Sequence, residues 1–456
     1  MISSTQWGSD RTSLLRLYRS LIRSKIDYGS NAYGSATDNK IISLNSIQNT
    51  CIRIATGAFR SSPGDSLSVE AGEPPLKHRR TFLDLKFFAK IISDKSHPLR
   101  DLLPLDNILS NEVLHTQKRK HYFVRVSLAL QSLDIQVPKI QHTCVSPLPP
   151  WTLQNPNFYL KLSKSLKANT HPYTYKQEFL KIKNDFKNAT FAYTDGSKST
   201  EGVGAAFVSG GRRHSFALPP LCSNYSAELL AINKCLNIIA LTRNHLILCT
   251  DSLSAVYALK DIFSLNPLVH EIHSAIKDFY RKNLQVTVMW IPGHCGITGN
   301  VEADKAARSA QREGHKISEV PQEDFVTHVK AKTKEKWQLE WFNTRENKLR
   351  AVKADIRLWT TSAGLSRKEE CVLARLRIGH TRITHGYLMA CEPPPMCVTC
   401  GVLTTVKHIL LECKMYRRAR MSSELPASLP ELLNDRETTV SRLFKFLRET
   451  ELFVKI

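Results

Sequence analysis

Apolar positions along this chain recur with two different periods, and the places where the period changes divide it. Leu14, Leu15, Leu17, Tyr18, Leu21 and Ile22 fall at helical spacing, as do Ile41, Ile42, Leu44, Ile47, Ile52 and Ile54. Gly57 and then Pro63-Gly64 end the second of these helices, and a third is expected over Leu83–Ile92. At Thr190 the pattern changes to short strands. Thr190–Thr194 reads as a strand closed by Asp195-Gly196-Ser197 as a turn. Val203–Ser209 and His214–Leu218 follow, with Gly210-Gly211 turning between them. Then come a helix over Tyr225–Ala240, a strand over His245–Thr250 and a helix from Ser252 to about Ile262. Asn266 is the expected cap of a helix over Pro267–Phe279, with Pro267 in its first position. Leu284–Ile291 is a Val-rich strand, and Val301–Ala310 a last helix entered through Gly299-Asn300. The sum is an α/β fold: a mixed five-stranded sheet with flanking helices, between mainly helical N- and C-terminal regions.

Four regions follow: 1–110 helical, 111–189 a linker, 190–315 the α/β domain and 316–456 helical. The linker reading rests on the basic run Lys118-Arg119-Lys120 and on Pro147, Pro149 and Pro150, which favour extended backbone. A length of 456 residues fits roughly three units of about 150 residues each. With 42% hydrophobic residues, wholesale disorder is excluded. No apolar run approaches the roughly 18 residues of a membrane span, and no secretory signal opens the sequence. A secreted protein is therefore not expected.

Charge sharpens this picture. Lys and Arg number 64 against 41 Asp and Glu, a net +23. Residues 1–190 carry +13 (27 basic, 14 acidic), residues 191–315 only +2 (12 and 10), and residues 316–456 +8 (25 and 17). Basic flanks around a nearly neutral middle suit a chain that grips an anionic polymer at its ends and acts on it in between. The 11 cysteines are odd in number and mostly scattered, which argues against a disulfide framework.

The candidate chemistry lies in four acids. Asp195 and Asp251 stand at the ends of two strands, Glu228 one turn into a helix, and Asp304 at the start of the last helix. Singly, each has a plain role as a turn, a cap or a solvated helix residue. If the strands are neighbours, the acids cluster, repel one another and need divalent cations to coexist. Mg²⁺ prefers such hard oxygen ligands, and a pair of these ions serves phosphodiester hydrolysis.

The local words around these acids resemble the ribonuclease H family. They are Tyr193-Thr194-Asp195-Gly196-Ser197, Tyr225-Ser226-Ala227-Glu228-Leu229, Cys249-Thr250-Asp251-Ser252, Trp290-Ile291-Pro292-Gly293-His294-Cys295-Gly296 and Gly299-Asn300-Val301-Glu302-Ala303-Asp304-Lys305. The resemblance covers about residues 190–312. It implies a ribonuclease H-like fold and a metal-dependent endonuclease that cleaves the RNA strand of RNA–DNA hybrids. It further implies that Asp195 bridges two Mg²⁺ ions (Mn²⁺ being an alternative), that Glu228 and Asp251 complete one site and Asp304 the other. His294 would assist proton transfer or product release. Gly196, Ser197, Asn224, Ser252 and Asn300 would contact substrate, Asn224 through the RNA backbone, where a 2′-hydroxyl separates RNA from DNA. Two departures stand out. Leu253 replaces a polar substrate contact of some members, and Lys260–Leu284 lacks the strongly basic, Trp-rich handle of others.

Near the C-terminus, Cys397, Cys400, His408 and Cys413 form a Cys₃His set able to close a tetrahedral zinc site, with Cys391 as a less suitable spare. Such a knuckle is a module for single-stranded nucleic acid, and Lys407, Lys414, Arg417, Arg418 and Arg420 surround it as candidate phosphate contacts. Together with Leu376-Arg377-Ile378-Gly379-His380-Thr381-Arg382, this order resembles the C-terminal end of a non-LTR retrotransposon polyprotein. Ile26-Asp27-Tyr28-Gly29, Ile47-Gln48-Asn49 and Ile52-Arg53-Ile54-Ala55-Thr56-Gly57-Ala58 are similar to the thumb-like region of such elements, over about residues 10–100. No two aspartates are adjacent, so polymerisation is not expected, and the chain reads as a truncated element product. Without a polymerase palm, apolar faces such as Leu14–Ile22 are candidates for exposure. The second reading is a catalytically inactive remnant that binds nucleic acid through basic flanks and the knuckle.

Overall fold

The computed structural model describes residues 3–102, 121–142, 155–164, 170–241, 243–359 and 364–456. The Lys118–Lys120 run and Pro147, Pro149 and Pro150 lie outside the described residues. The chain divides into two compact units, one of 88–103 and 136–329, the other of 1–87, 104–135 and 330–456. The first and last segments of the chain share one core.

The 88–103/136–329 unit is built on a sheet. Its strands are β1 (Asn157–Tyr159), β2 (Thr190–Ser199), β3 (Gly202–Ser209), β4 (Arg212–Leu218), β5 (His245–Thr250), β6 (Gln285–Trp290) and β7 (His315–Lys316). Its helices are α1 (Pro172–Asp185), α2 (Asn224–Ile238), α3 (Leu253–Lys260), α4 (Pro267–Arg281) and α5 (Thr298–Glu313). The strand order is β1-β6-β5-β2-β3-β4-β7. β2–β3 and β3–β4 pair antiparallel, and the remaining neighbours pair parallel. The mixed α/β sheet with flanking helices is thus present, its five central strands extended at the edges by the two- and three-residue β7 and β1.

Side chains alternate across β2 and so divide the helices between the two faces. Gly196 faces α2, where a Cβ would come within 2.6 Å of the Glu228 backbone nitrogen. Tyr193, three residues earlier, faces α5, where a Cβ on Gly299 would strike its ring at 2.2 Å. Gly204 on β3 lets α5 approach so closely that a Cβ would lie 2.1 Å from the Ala307 carbonyl oxygen. The small residues Ala303, Ala306, Ala307 and Ala310 line that face of α5.

Two sequence expectations need correction here. Asp195-Gly196-Ser197 is no turn. β3 keeps pairing with β2 past Asp195↔Ala206 to Ser199↔Gly202, whereas the parallel pairing with β5 stops at Thr194↔Thr250. The 111–189 stretch is not simply linker. Residues Tyr122–Ser132 form a helix with Val124, Val126, Ala129 and Leu130 buried. β1 joins the sheet beside β6. α1 starts at Pro172, capped by the His171 side chain, and buries Tyr175, Phe179 and Ile182. The helical spacing of those three residues outweighs the Pro- and Lys-rich composition around them.

The other unit gathers residues from both ends of the chain. Leu14, Leu15, Ile52 and Leu67 share a core with Trp341, Leu376, Phe446 and Leu447. The N-terminal helices of this unit run Arg11–Leu17, continuing to Asp27, then Asp38–Thr56 and the part of Leu76–Ser93 up to residue 87. Leu14 and Leu15 are buried, while Leu17, Leu21 and Ile22 on the same stretch remain partly exposed. Within this core Glu70 is fully buried and receives three partners. Arg11 Nη1 donates to it at 3.1 Å and Trp359 Nε1 at 2.7 Å, and the Arg377 guanidinium lies 3.8 Å away. Arg377 also stacks on Trp359 at 3.9 Å and donates to the Leu433 and Asn434 carbonyls. Glu70→Ala would leave two buried guanidinium groups without their anion, and should cost about 3–5 kcal/mol of stability. Urea unfolding followed by tryptophan fluorescence measures this, with Glu70→Gln expected to cost less.

Candidate active site

The end of β5 and the middle of β2 bring the acids together. Asp195 stands one residue beyond the last β2–β5 pair, still paired with Ala206 of β3, and Asp251 follows the last residue of β5. Glu228 projects from the fifth residue of α2. Carboxylate oxygens of Asp195, Glu228 and Asp251 all lie within 4.8 Å of one another. Asp304, two turns into α5, is half-buried; its Oδ1 accepts from the exposed Arg308 Nε at 2.8 Å, and its charge acts on Asp195.

Burial makes this crowding costly. Burial first, then the charges of Asp251 and Asp304, push the Asp195 carboxyl up to about 8. Burial, then Asp195 and Asp251, push Glu228 up to about 9. Asp251 is also raised by burial, against the opposing pull of Asn300 and His294. Glu228 Oε2 is buried without any hydrogen-bond partner. A hard divalent cation fits these donors, since it supplies the positive charge and the missing partner together.

The remaining predicted residues divide by position. His294 is exposed on the loop after β6, at φ +60°. Asn300 is buried and donates through Nδ2 to Asp251 Oδ2 at 3.3 Å, while its Oδ1 has no hydrogen-bond partner. Ser252 caps α3, its Oγ accepting from the Ala255 nitrogen. Asn224 is exposed at the first position of α2, Ser197 is half-buried and Gly196 buried. Sequence reasoning missed two supports of Asp251. Trp290 Nε1 donates to its backbone carbonyl at 3.1 Å. Gly293 leaves room for its side chain, since a Cβ there would lie 2.4 Å from Oδ2. Both residues stand in the Trp290–Gly296 run, but only tertiary contact reveals their role.

In the other unit, the donor atoms of Cys397, Cys400, His408 and Cys413 also lie within 4.8 Å of one another. Cys397 and Cys413 sulfurs are 3.7 Å apart, and His408 Nε2 is buried without a hydrogen-bond partner. The adjacent His408 imidazole lowers the Cys397 thiol to about 6, toward the thiolate that binds a metal. This Cys₃His set fits Zn²⁺. Exposed Cys391 stands outside it. Two of the surrounding cations are already engaged: Lys407 pairs with Glu412 at 2.7 Å, and Arg420 donates to the Cys413 carbonyl.

The acids predict an inverted pH dependence of stability for the metal-free protein. Asp195 and Glu228 titrate near 8 and 9 in the folded state, against about 4 in an unfolded chain. The folded form therefore keeps protons that the unfolded form releases. The stability this gives is complete below about pH 4 and is lost as pH rises through 8 to 9. In EDTA the melting temperature should fall between pH 6 and 9, and Asp195→Asn should flatten that fall. Mg²⁺ should raise it more at pH 8 than at pH 6.

No curated protein matches the chain. Residues 187–312 match the family model described as RNase H. The matched segment begins just before β2 and ends within α5, so it spans all four acids and the His294 loop. The chain carries an RNase H domain at residues 187–312.

Proposed function

We propose that this protein is a metal-dependent endonuclease that hydrolyses the RNA strand of RNA–DNA hybrids. The observation that carries the reading is the trio of buried, mutually repelling carboxylates of Asp195, Glu228 and Asp251. Asp195, Glu228, Asp251 and Asp304 would hold two Mg²⁺ or Mn²⁺ ions. When bound, such ions activate a water and neutralise charge on the phosphodiester. Asn300 and Gly293 fix the Asp251 carboxylate, and Gly196 admits the α2 turn that carries Glu228. His294, on its exposed loop, is positioned in this reading to take or give a proton at its ring nitrogen. Asn224, at the exposed start of α2, would meet the RNA strand.

The Cys₃His set is assigned to a structural Zn²⁺ in a knuckle that binds single-stranded nucleic acid. An RNase H domain followed by this knuckle, within a chain of net charge +23, supports descent from a non-LTR retrotransposon. Residues 1–110 would then be its thumb-like remnant.

A labelled RNA–DNA hybrid incubated with the full chain in Mg²⁺ tests the activity, with single-stranded RNA and duplex DNA as controls. Hybrid-specific cleavage is expected, falling by about 10³-fold or more in Asp195→Asn as the electrostatic machinery is lost. His294→Ala should lower kcat by about 10²-fold, in the range of general acid–base catalysis, with KM little changed. A folded wild type that binds hybrid without cutting it would refute the nuclease and favour the binding remnant. Metal analysis of purified protein should find one zinc per chain, lost in Cys397→Ser.

A further inference from the structure

The run Ile378-Gly379-His380-Thr381 plays no part in the acidic site, yet it builds a polar cluster in the unit formed by both chain ends. The helix Arg367–Ile378 stops at Gly379, whose φ of +78° reverses the chain. Gly379 also admits Lys348, since a Cβ there would lie 2.8 Å from the Lys348 Cβ. Thr381 then caps the short helix Arg382–His385. The outcome is that His380 and His385, five residues apart, stack face to face with ring centres 3.7 Å apart.

Hydrogen bonds fix the protonation of this stack. Lys348 Nζ lies 2.7 Å from His385 Nε2. An ammonium can only donate, so His385 Nε2 accepts and its proton sits on Nδ1, 2.7 Å from Thr384 Oγ1. Ser61 Oγ lies 3.0 Å from His380 Nδ1. Burial, then the neighbouring His385 and Lys348, hold the His380 imidazole down at about 3, and burial and Lys348 hold His385 at about 4.

The cluster lacks an anion. Among the described residues, no carboxylate forms an ion pair with Lys348, His380 or His385, and none contributes to the shifts of the two histidines. Lys348, His385, His380 and Ser61 thus form one chain of contacts that carries a positive charge and, among the described residues, no paired carboxylate. Among the described residues, Lys348 Nζ and the His380 ring make no other side-chain hydrogen bond than these. Lysine, imidazole and serine are donors suited to a tetrahedral oxyanion.

We propose that Lys348, His380 and Ser61 form a binding site for a phosphate group, with His385 as the positioning residue that holds the lysine and the His380 ring. The bound phosphate would supply the missing charge and raise the affinity of His380 for a proton. The site is independent of the acids, so it stands or falls apart from the nuclease reading.

The test follows the histidine Cε1 resonances by NMR in the full chain carrying ¹³C-labelled histidine. One arm adds inorganic phosphate, and the other a single-stranded oligonucleotide without terminal phosphates. In at least one arm the His380 resonance should move and its titration midpoint rise by about one pH unit or more, the usual effect of a nearby opposite charge. Movement with inorganic phosphate alone identifies a free-phosphate pocket, and movement with the oligonucleotide a backbone contact. Lys348→Ala should weaken the response about tenfold and Lys348→Arg should restore it; Ser61→Ala serves if Lys348→Ala does not fold. Resonances that ignore both probes, or that respond equally in Lys348→Ala and wild type, would overturn the proposal.

Discussion

Three carboxylates held within 4.8 Å of one another in a buried place cannot all be ionised without a source of positive charge. That constraint governs the 88–103/136–329 unit. The parallel pairing of β2 with β5 sets two of the acids side by side, and the glycines at 196 and 293 remove the side chains that would keep them apart. The close-packed small residues of α5 let the fourth acid approach from the opposite face. The fold thus spends stability at one point, in the manner of sites where charge is arranged before a substrate arrives.

The other unit solves a different charge problem. Glu70 is also buried, but its partners are two guanidinium groups and an indole N–H. Its charge is thereby balanced inside the protein, and the network ties residues from the first hundred to residues beyond 350. The His380–His385 stack sits between these extremes, neutral itself and beside a lysine with no acid. Whether a buried charge is balanced from within distinguishes structural groups from those that await a ligand.

The α/β architecture was legible because its strands and helices are short, strongly periodic and punctuated by Gly, Pro and Asn. Asn266 caps α4 and Gly210-Gly211 turn the β3–β4 hairpin as their chemistry requires. The end of β2 was misread because Asp-Gly-Ser is turn-like locally, while the antiparallel partner that keeps it extended is a tertiary fact. The helices and strand at 122–185 were hidden by proline and lysine around a sparse apolar spacing. The order of the acids along the chain was visible, but the contacts of Asn300, Trp290 and Gly293 with Asp251 depend on loops meeting in space. The shared core of both chain ends left no trace in local periodicity, which reports a buried face but not its partner.

That shared core has a consequence for biosynthesis. The helices of the first 87 residues leave the ribosome long before Leu376, Phe446 and Leu447, against which their apolar faces pack, have been translated. The seven-stranded sheet can be completed during that interval, since all its strands lie between residues 157 and 316. The nascent N-terminal helices meanwhile carry uncovered apolar surface, a natural substrate for chaperones. Translation speed through residues 330–456 would therefore bear on yield more than on activity.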